Sequence, residues 1–152
     1  MDFRRHERYC LAHAENWLTK FLQDRGLTRA NGQMLFRYRS SEAEYRQLQS
    51  LLNVRFGAVR HWSFHFDSEF EAALFVLFAA EWWRREYDGG AWRWSSILEA
   101  LDASNSQLDP QERSYGVELG LNFWGHRPSA DGKKFLGAIV AQGGLPLRLI
   151  AR

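Results

Sequence analysis

The chain has 152 residues, 45% of them hydrophobic and 15% aromatic, and a net charge of only +2. That length suits one domain, or a fragment holding one, with enough apolar content for a real core. The single Cys10 excludes an intramolecular disulfide, and nothing at the N-terminus resembles a signal peptide; both facts suit a cytoplasmic protein.

The charge is unevenly spread. Residues 1–60 carry eleven Arg/Lys against six Asp/Glu, residues 61–112 three against ten, and residues 113–152 six against two. Basic ends of this kind either fold against the acidic middle or form a phosphate-binding face around it. Arg outnumbers Lys seventeen to three, which suits bidentate phosphate or carboxylate pairing but equally follows from a GC-rich genome.

In chain order, residues 4–25 read as one helix, with Tyr9, Ala12, Leu18, Phe21 and Leu22 near helical spacing and Gly26 as the stop. Met34, Phe36 and Tyr38 alternate with Leu35, Arg37 and Arg39, as a short strand or extended segment would. Ser41 and Glu44 form a capping box opening a short helix that ends near Asn53, with Tyr45, Leu48, Leu51 and Leu52 as its apolar stripe. Trp62, Phe64 and Phe66 then alternate with His61, Ser63, His65 and Asp67, a second extended segment.

The stretch from Ala72 to Ala80 is apolar without interruption. It is well short of the roughly 18–20 apolar residues of a membrane span, so it reads as a helix buried on nearly all sides. Ser68 with Glu71 marks its start, and Arg84, Arg85 and then Gly89-Gly90 mark its end. Beyond it, residues 95–101 form a further helix, and Asp109-Pro110 caps the next. Gly116 and Gly120 interrupt that helix at about 1 kcal/mol each, which points to close helix packing. Residues 133–142 form the last apolar helix, and the chain stops in the apolar Leu145-Pro146-Leu147-Arg148-Leu149-Ile150. The expectation is a mainly α-helical single domain, residues 1–152, of five or six helices around a central helix over 69–87. At most a minor strand pair from 34–38 and 62–66 accompanies it. An apolar ending of this kind either docks on the core or is cut from something longer, and the expectation is the second, the N-terminal domain of a longer protein.

Candidate chemistry concentrates in Glu81-Trp82-Trp83-Arg84-Arg85-Glu86-Tyr87-Asp88. Glu81, Glu86 and Asp88 are carboxylates that a nuclease could use with a divalent ion, though Arg84 and Arg85 lie within intrahelical pairing range of Glu81 and ordinary salt bridges explain them as well. Trp82, Trp83, Trp92 and Trp94 could bind or stack bases beside Arg84 and Arg85, or simply cover helix ends. His65 and Asp67 could share a metal, with His61 about 13 Å away, but no HExxH or CxxC spacing supports a site. No GxxxxGK[ST], GxGxxG before a helix, or GxSxG is present, so no cofactor is expected. Arg4, Arg5, Arg8, Arg37 and Arg39 are the nucleic-acid candidates, because the middle of the chain is too acidic to hold phosphate. With a net charge of +2, weak binding at most is expected.

Ala80-Glu81-Trp82-Trp83-Arg84-Arg85-Glu86-Tyr87-Asp88-Gly89-Gly90, then Trp92-x-Trp94, then Gly143-Gly144-Leu145-Pro146 resembles the N-terminal region of very large bacterial defence-island proteins. Among these it is similar to the large non-helicase component of Druantia-type phage-defence systems. The resemblance implies a bacterial cytoplasmic protein acting with a helicase partner against phage, and it brings no catalytic residues. The expected function is a non-catalytic interaction domain joined to the remainder of its parent polypeptide, with a metal-dependent nuclease or nucleic-acid-binding domain as the alternative.

Overall fold

The structure, a computed structural model, describes residues 3–59, 64–104, 107–127 and 134–150, without the side chains of residues 3–12 and 134–136. Helices α1 (Phe3–Gln23), α2 (Glu42–Ala58), α3 (Glu69–Glu86), α4 (Trp94–Ala100), α5 (Pro110–Phe123), α6 (Lys134–Gly143) and α7 (Leu147–Ile150) follow in order, with a 3-10 helix at Leu35–Tyr38. The expected mainly α-helical domain is what forms, and the described residues contain no strand.

The central helix lies where its apolar run places it. Every residue of α3 from Glu71 to Glu81 is buried, and the helix packs against α1, α2, α5, α6, α7 and the 3-10 helix. Ser68 accepts a hydrogen bond from the Glu71 amide, while the Glu71 carboxylate turns back to the Asp67 amide at 3.0 Å. Trp124, at the end of α5, is fully buried and donates its indole N–H to the Ala73 carbonyl at 3.1 Å.

The two glycines of α5 allow its approach to α3. A Cβ on Gly120 would lie 2.3 Å from the Ala72 carbonyl oxygen, and one on Gly116 would lie inside the Phe66 ring at 2.1 Å. No side chain fits in either place.

Three local expectations are corrected. The segment expected as a strand at 34–38 is a 3-10 helix, because Leu35 and Tyr38, three apart, are the buried pair; residues i and i+3 eclipse in that geometry, so the apparent alternation was incidental. Its first amide is held by the buried Gln142 side chain at 3.0 Å. Phe64 and Phe66 are buried with His65 exposed between them, so the alternation holds there without a ladder. Their amides bond to the Gln107 carbonyl and the Glu112 carboxylate instead. Trp62, the other half of that pattern, lies outside the described residues. Finally, α2 continues past Asn53 to Ala58. Phe56 is fully buried and Arg55 pairs with the central helix, which rewards the extra turn.

The 3-10 helix is tied to α1 and α2 by one side chain. Arg25 donates to both carboxylate oxygens of Glu44, at 2.7 and 3.0 Å, and to the carbonyls of Phe21, Tyr38 and Arg39. Glu44 in turn completes the Ser41 capping box. Burial pushes the Glu44 carboxyl up, but the Arg25 and Ser41 donors outweigh it and hold the pKa below 4.5. A depressed carboxylate stabilises the fold above its unfolded pKa and loses that contribution as pH falls through the folded value. Glu44→Gln is therefore expected to cost about 1–3 kcal/mol near neutral pH. The difference from wild type should shrink towards zero as pH drops below 4.5, read by denaturant unfolding across that range.

Candidate docking site

The end of α3 is where the charged and aromatic residues gather. Glu81 is 1% exposed, placed there by the same helical face that buries Leu77 and Phe78. Its carboxylate accepts from Arg84 Nε at 2.9 Å and Arg85 Nε at 3.3 Å, and Arg84 Nη2 reaches its other oxygen at 3.3 Å. Both arginines also donate to the Ser40 carbonyl, and Arg85 reaches Glu42 at 3.1 Å. Glu86 lies between Arg46 at 3.6 Å and Arg148 at 2.9 Å. Asp88 is exposed and accepts from the Gly90 amide in a tight turn. The three candidate carboxylates thus face different partners, and two of them are enclosed by guanidinium groups.

Three of the four candidate tryptophans meet. Trp82 stacks on Trp92 with centroids 5.5 Å apart, and Trp83 stacks on Tyr87 at 4.2 Å and meets Trp92 at 5.1 Å. Each ring in this group packs on at least one other ring of the group. Trp94 is elsewhere, stacked on Phe75 at 5.8 Å with the Arg113 guanidinium 5.2 Å from its ring centre. It belongs to the core rather than to the cluster.

The last element, α7, covers part of this end. Gly143 brings α6 against α3 so closely that a Cβ would sit 2.6 Å from the Ala80 carbonyl oxygen. The Trp83 indole N–H donates to the Gly144 carbonyl at 2.8 Å. Arg148 then clamps α7 in place, donating to the Arg85 carbonyl at 3.1 Å and to Glu86; a cation over the last carbonyls of a helix also suits its dipole. Stretches some sixty residues apart, Ala80–Gly90 and Gly143–Pro146, therefore form one surface. What that surface shows to solvent is apolar. Leu145, Leu147, Leu149 and Ile150 are exposed by 70, 38, 39 and 57%, beside the half-buried Trp83, Tyr87 and Trp92. Arg148 and the exposed side of α7 went unnoticed in the sequence, although a lone charge in an apolar ending was a usable signal.

The remaining candidates are dispersed. His65 is exposed with Nδ1 3.5 Å from Glu112, and Asp67 accepts from Arg55 at 3.1 Å; His61 lies outside the described residues. Among the described residues no group of three or more His, Cys, Asp or Glu side chains is placed to hold a metal. Arg37 and Arg39 are both exposed. The side chains of Arg4, Arg5 and Arg8 lie outside the described residues. No described helix is long and apolar enough to cross a membrane.

The profile of the YjiT N-terminal domain matches residues 4–145, nearly the whole chain. The chain belongs to the YjiT N-terminal domain family. It is 33% identical over 140 residues to protein YjiT of Escherichia coli (strain K12), a match that spans 89% of this chain and 26% of that protein. The chain thus covers about a quarter of the length of this relative. No solved structure matches it. The family match ends at Leu145, where the exposed aliphatic surface begins.

Proposed function

We propose that this YjiT-type N-terminal domain is a non-catalytic interaction domain of a bacterial cytoplasmic anti-phage defence protein, and that it docks the remainder of its parent polypeptide. The observation that carries the docking is the exposed aliphatic cap of Leu145, Leu147, Leu149 and Ile150 next to Trp83, Tyr87 and Trp92. Among the described residues, four of the six exposed large hydrophobic side chains fall within residues 145–150. Apolar surface concentrated in this way, rimmed by the Glu42, Arg46, Glu86 and Arg148 charges, has the composition of an interface: an apolar centre with a polar edge. The length of the E. coli relative supplies an occupant, since about three-quarters of that protein lies outside the matched region.

A non-catalytic reading is supported by how the candidate carboxylates are used. Glu81 lies between two guanidinium groups and Glu86 between two others, so both carboxylates are taken up by ion pairs within the fold. The defence role and the helicase partner rest on the resemblance of the Ala80–Gly90, Trp92-x-Trp94 and Gly143–Pro146 motifs. Deleting residues 1–152 from the parent gene is expected to remove phage protection, while the isolated chain hydrolyses neither DNA nor nucleoside triphosphates. Full protection without the segment, or hydrolysis that disappears in Glu81→Gln, would refute it.

A further inference from the structure

A second surface, at the 3-10 helix, is lined by residues outside the docking site. Between Asp24 and Glu42 the sequence has no acidic residue and four arginines, Arg25, Arg29, Arg37 and Arg39. The fold shapes part of this run into an open cleft of about 640 Å³, lined by Asp24, Arg25, Arg37, Tyr38, Arg39 and Glu44 among others. The charges in it are not equivalent. Arg25 and Glu44 neutralise each other, and Asp24 is 3.6 Å from Lys20. Arg37 and Arg39 have no ion-pair partner among the described residues and are exposed. Two cations are left uncompensated at the rim.

They are also held in place. Tyr38 is buried and exchanges hydrogen bonds with Asn31, and Arg25 fixes the Tyr38 and Arg39 carbonyls. Arg39 itself is one of two non-glycine residues in the left-handed region among the described residues, at φ 54°. That conformation is uncommon for a side chain of this size, and it closes the 3-10 helix through a hydrogen bond from the Arg39 amide to the Phe36 carbonyl. The backbone that presents both guanidinium groups is therefore set before any ligand arrives.

We infer that Arg37 and Arg39 form a phosphate-contacting site for the sugar-phosphate backbone of nucleic acid, read without regard to base sequence. Guanidinium forks bind phosphate oxygens bidentately. An acidic protein is the less suitable partner. A protein interface needs an apolar centre, and the exposed large hydrophobic residues, Val54, Tyr115 and the four aliphatics of residues 145–150, include none that lines this cleft. A backbone held through phosphates alone needs no such centre.

The number of contacts fixes the expected strength. Two neutralised phosphates give a slope of log K against log salt near −2 for duplex DNA, so affinity should fall about tenfold between 50 and 200 mM salt. The absolute value should lie in the non-specific range of roughly 10⁻⁴ to 10⁻⁶ M. The test is fluorescence anisotropy of the 152-residue chain against a labelled 20-base-pair duplex and the matching single strand at both salt concentrations. Arg37→Gln/Arg39→Gln should flatten the salt dependence and weaken binding by about tenfold or more, with thermal unfolding unchanged because both side chains are exposed. Arg93→Gln, which alters an exposed arginine outside the cleft, should leave binding as it was. Three results would overturn the inference: no binding at 50 mM salt, a double variant that binds as wild type, or an acidic peptide that competes as well as the duplex.

Discussion

Arg55→Met is expected to cost about 3–5 kcal/mol of folding stability, because it strands a buried carboxylate. Arg55 and Glu71 are each 3% exposed. The Arg55 guanidinium donates to Glu71 Oε2, to the His65 carbonyl at 3.0 Å and to Asp67 at 3.1 Å. It also lies 4.5 Å from the centre of the Phe64 ring. One side chain thus ties α2 to both the start of α3 and the segment leading into it. Burial pushes the Glu71 carboxyl up, and the attraction of Arg55 only partly offsets this. Without Arg55 the remaining hydrogen bond, from the Asp67 amide, cannot hold the charge. A carboxyl raised on folding contributes stability below its unfolded pKa and loses it as pH rises through the folded one. Relative to wild type, Arg55→Met should recover as pH falls towards 4.5, because Glu71 is then protonated in both proteins; the deficit shrinks in the same direction as that of Glu44→Gln. The double variant Arg55→Met/Glu71→Leu should regain most of the loss, since a buried pair replaced by apolar groups of similar volume is often neutral. Denaturant unfolding of the three proteins reads both effects. Additive losses in the double variant would show that the pair is not coupled.

Gly120→Ala should lower stability by about 2–3 kcal/mol, although alanine is the better helix former. Two effects oppose each other here. Helix propensity favours alanine by about 1 kcal/mol. Against it, the new methyl would lie 2.3 Å from the Ala72 carbonyl oxygen and 2.7 Å from Val76 Cγ1. The first of these is backbone and cannot rotate away. Helix α5 would have to withdraw along the most extensive contact that α3 makes. A clash with rigid backbone belongs at or above the top of the usual overpacking range, at about 3–4 kcal/mol, which leaves a net loss of about 2–3 kcal/mol after the propensity gain. The melting temperature should fall by about 5–10 °C in a domain of this size. Gly137→Ala supplies the opposite case, because a Cβ there meets nothing within 4 Å; it should stabilise α6 by up to about 1 kcal/mol. Equal effects at the two glycines would mean that propensity alone decides.

Much of this fold was legible because its signals are local. The uninterrupted Ala72–Ala80 run, the Ser41 capping box and the Asp109-Pro110 start each specify an element from adjacent residues. Gly116 and Gly120 announced close packing by breaking the helical preference that surrounds them. What the sequence concealed depends on partners distant along the chain. The 3-10 helix at 35–38 is fixed by Gln142 and Arg25, neither visible from Phe36 alternating with Tyr38. The last turn of α2 exists because Arg55 finds Glu71 sixteen positions away. At the candidate site, Glu81 pairing with Arg84 and Arg85 was readable from helical spacing. The clamp of Arg148 on the end of α3, which turns two separate motifs into one surface, was not.

Hydrogen exchange at the amides of residues 147–150 tests the docking directly, measured in the isolated 152-residue chain and in the full parent polypeptide. In the isolated chain α7 has four residues and an exposed aliphatic face, so its amides should exchange close to the rate of fraying termini. In the parent they should be slowed by about tenfold or more as the apolar cap is covered. Leu147→Asp/Ile150→Asp in the parent should return them to the rate of the isolated chain. Equal exchange in the isolated chain and the parent would contradict the docking of the parent on this surface.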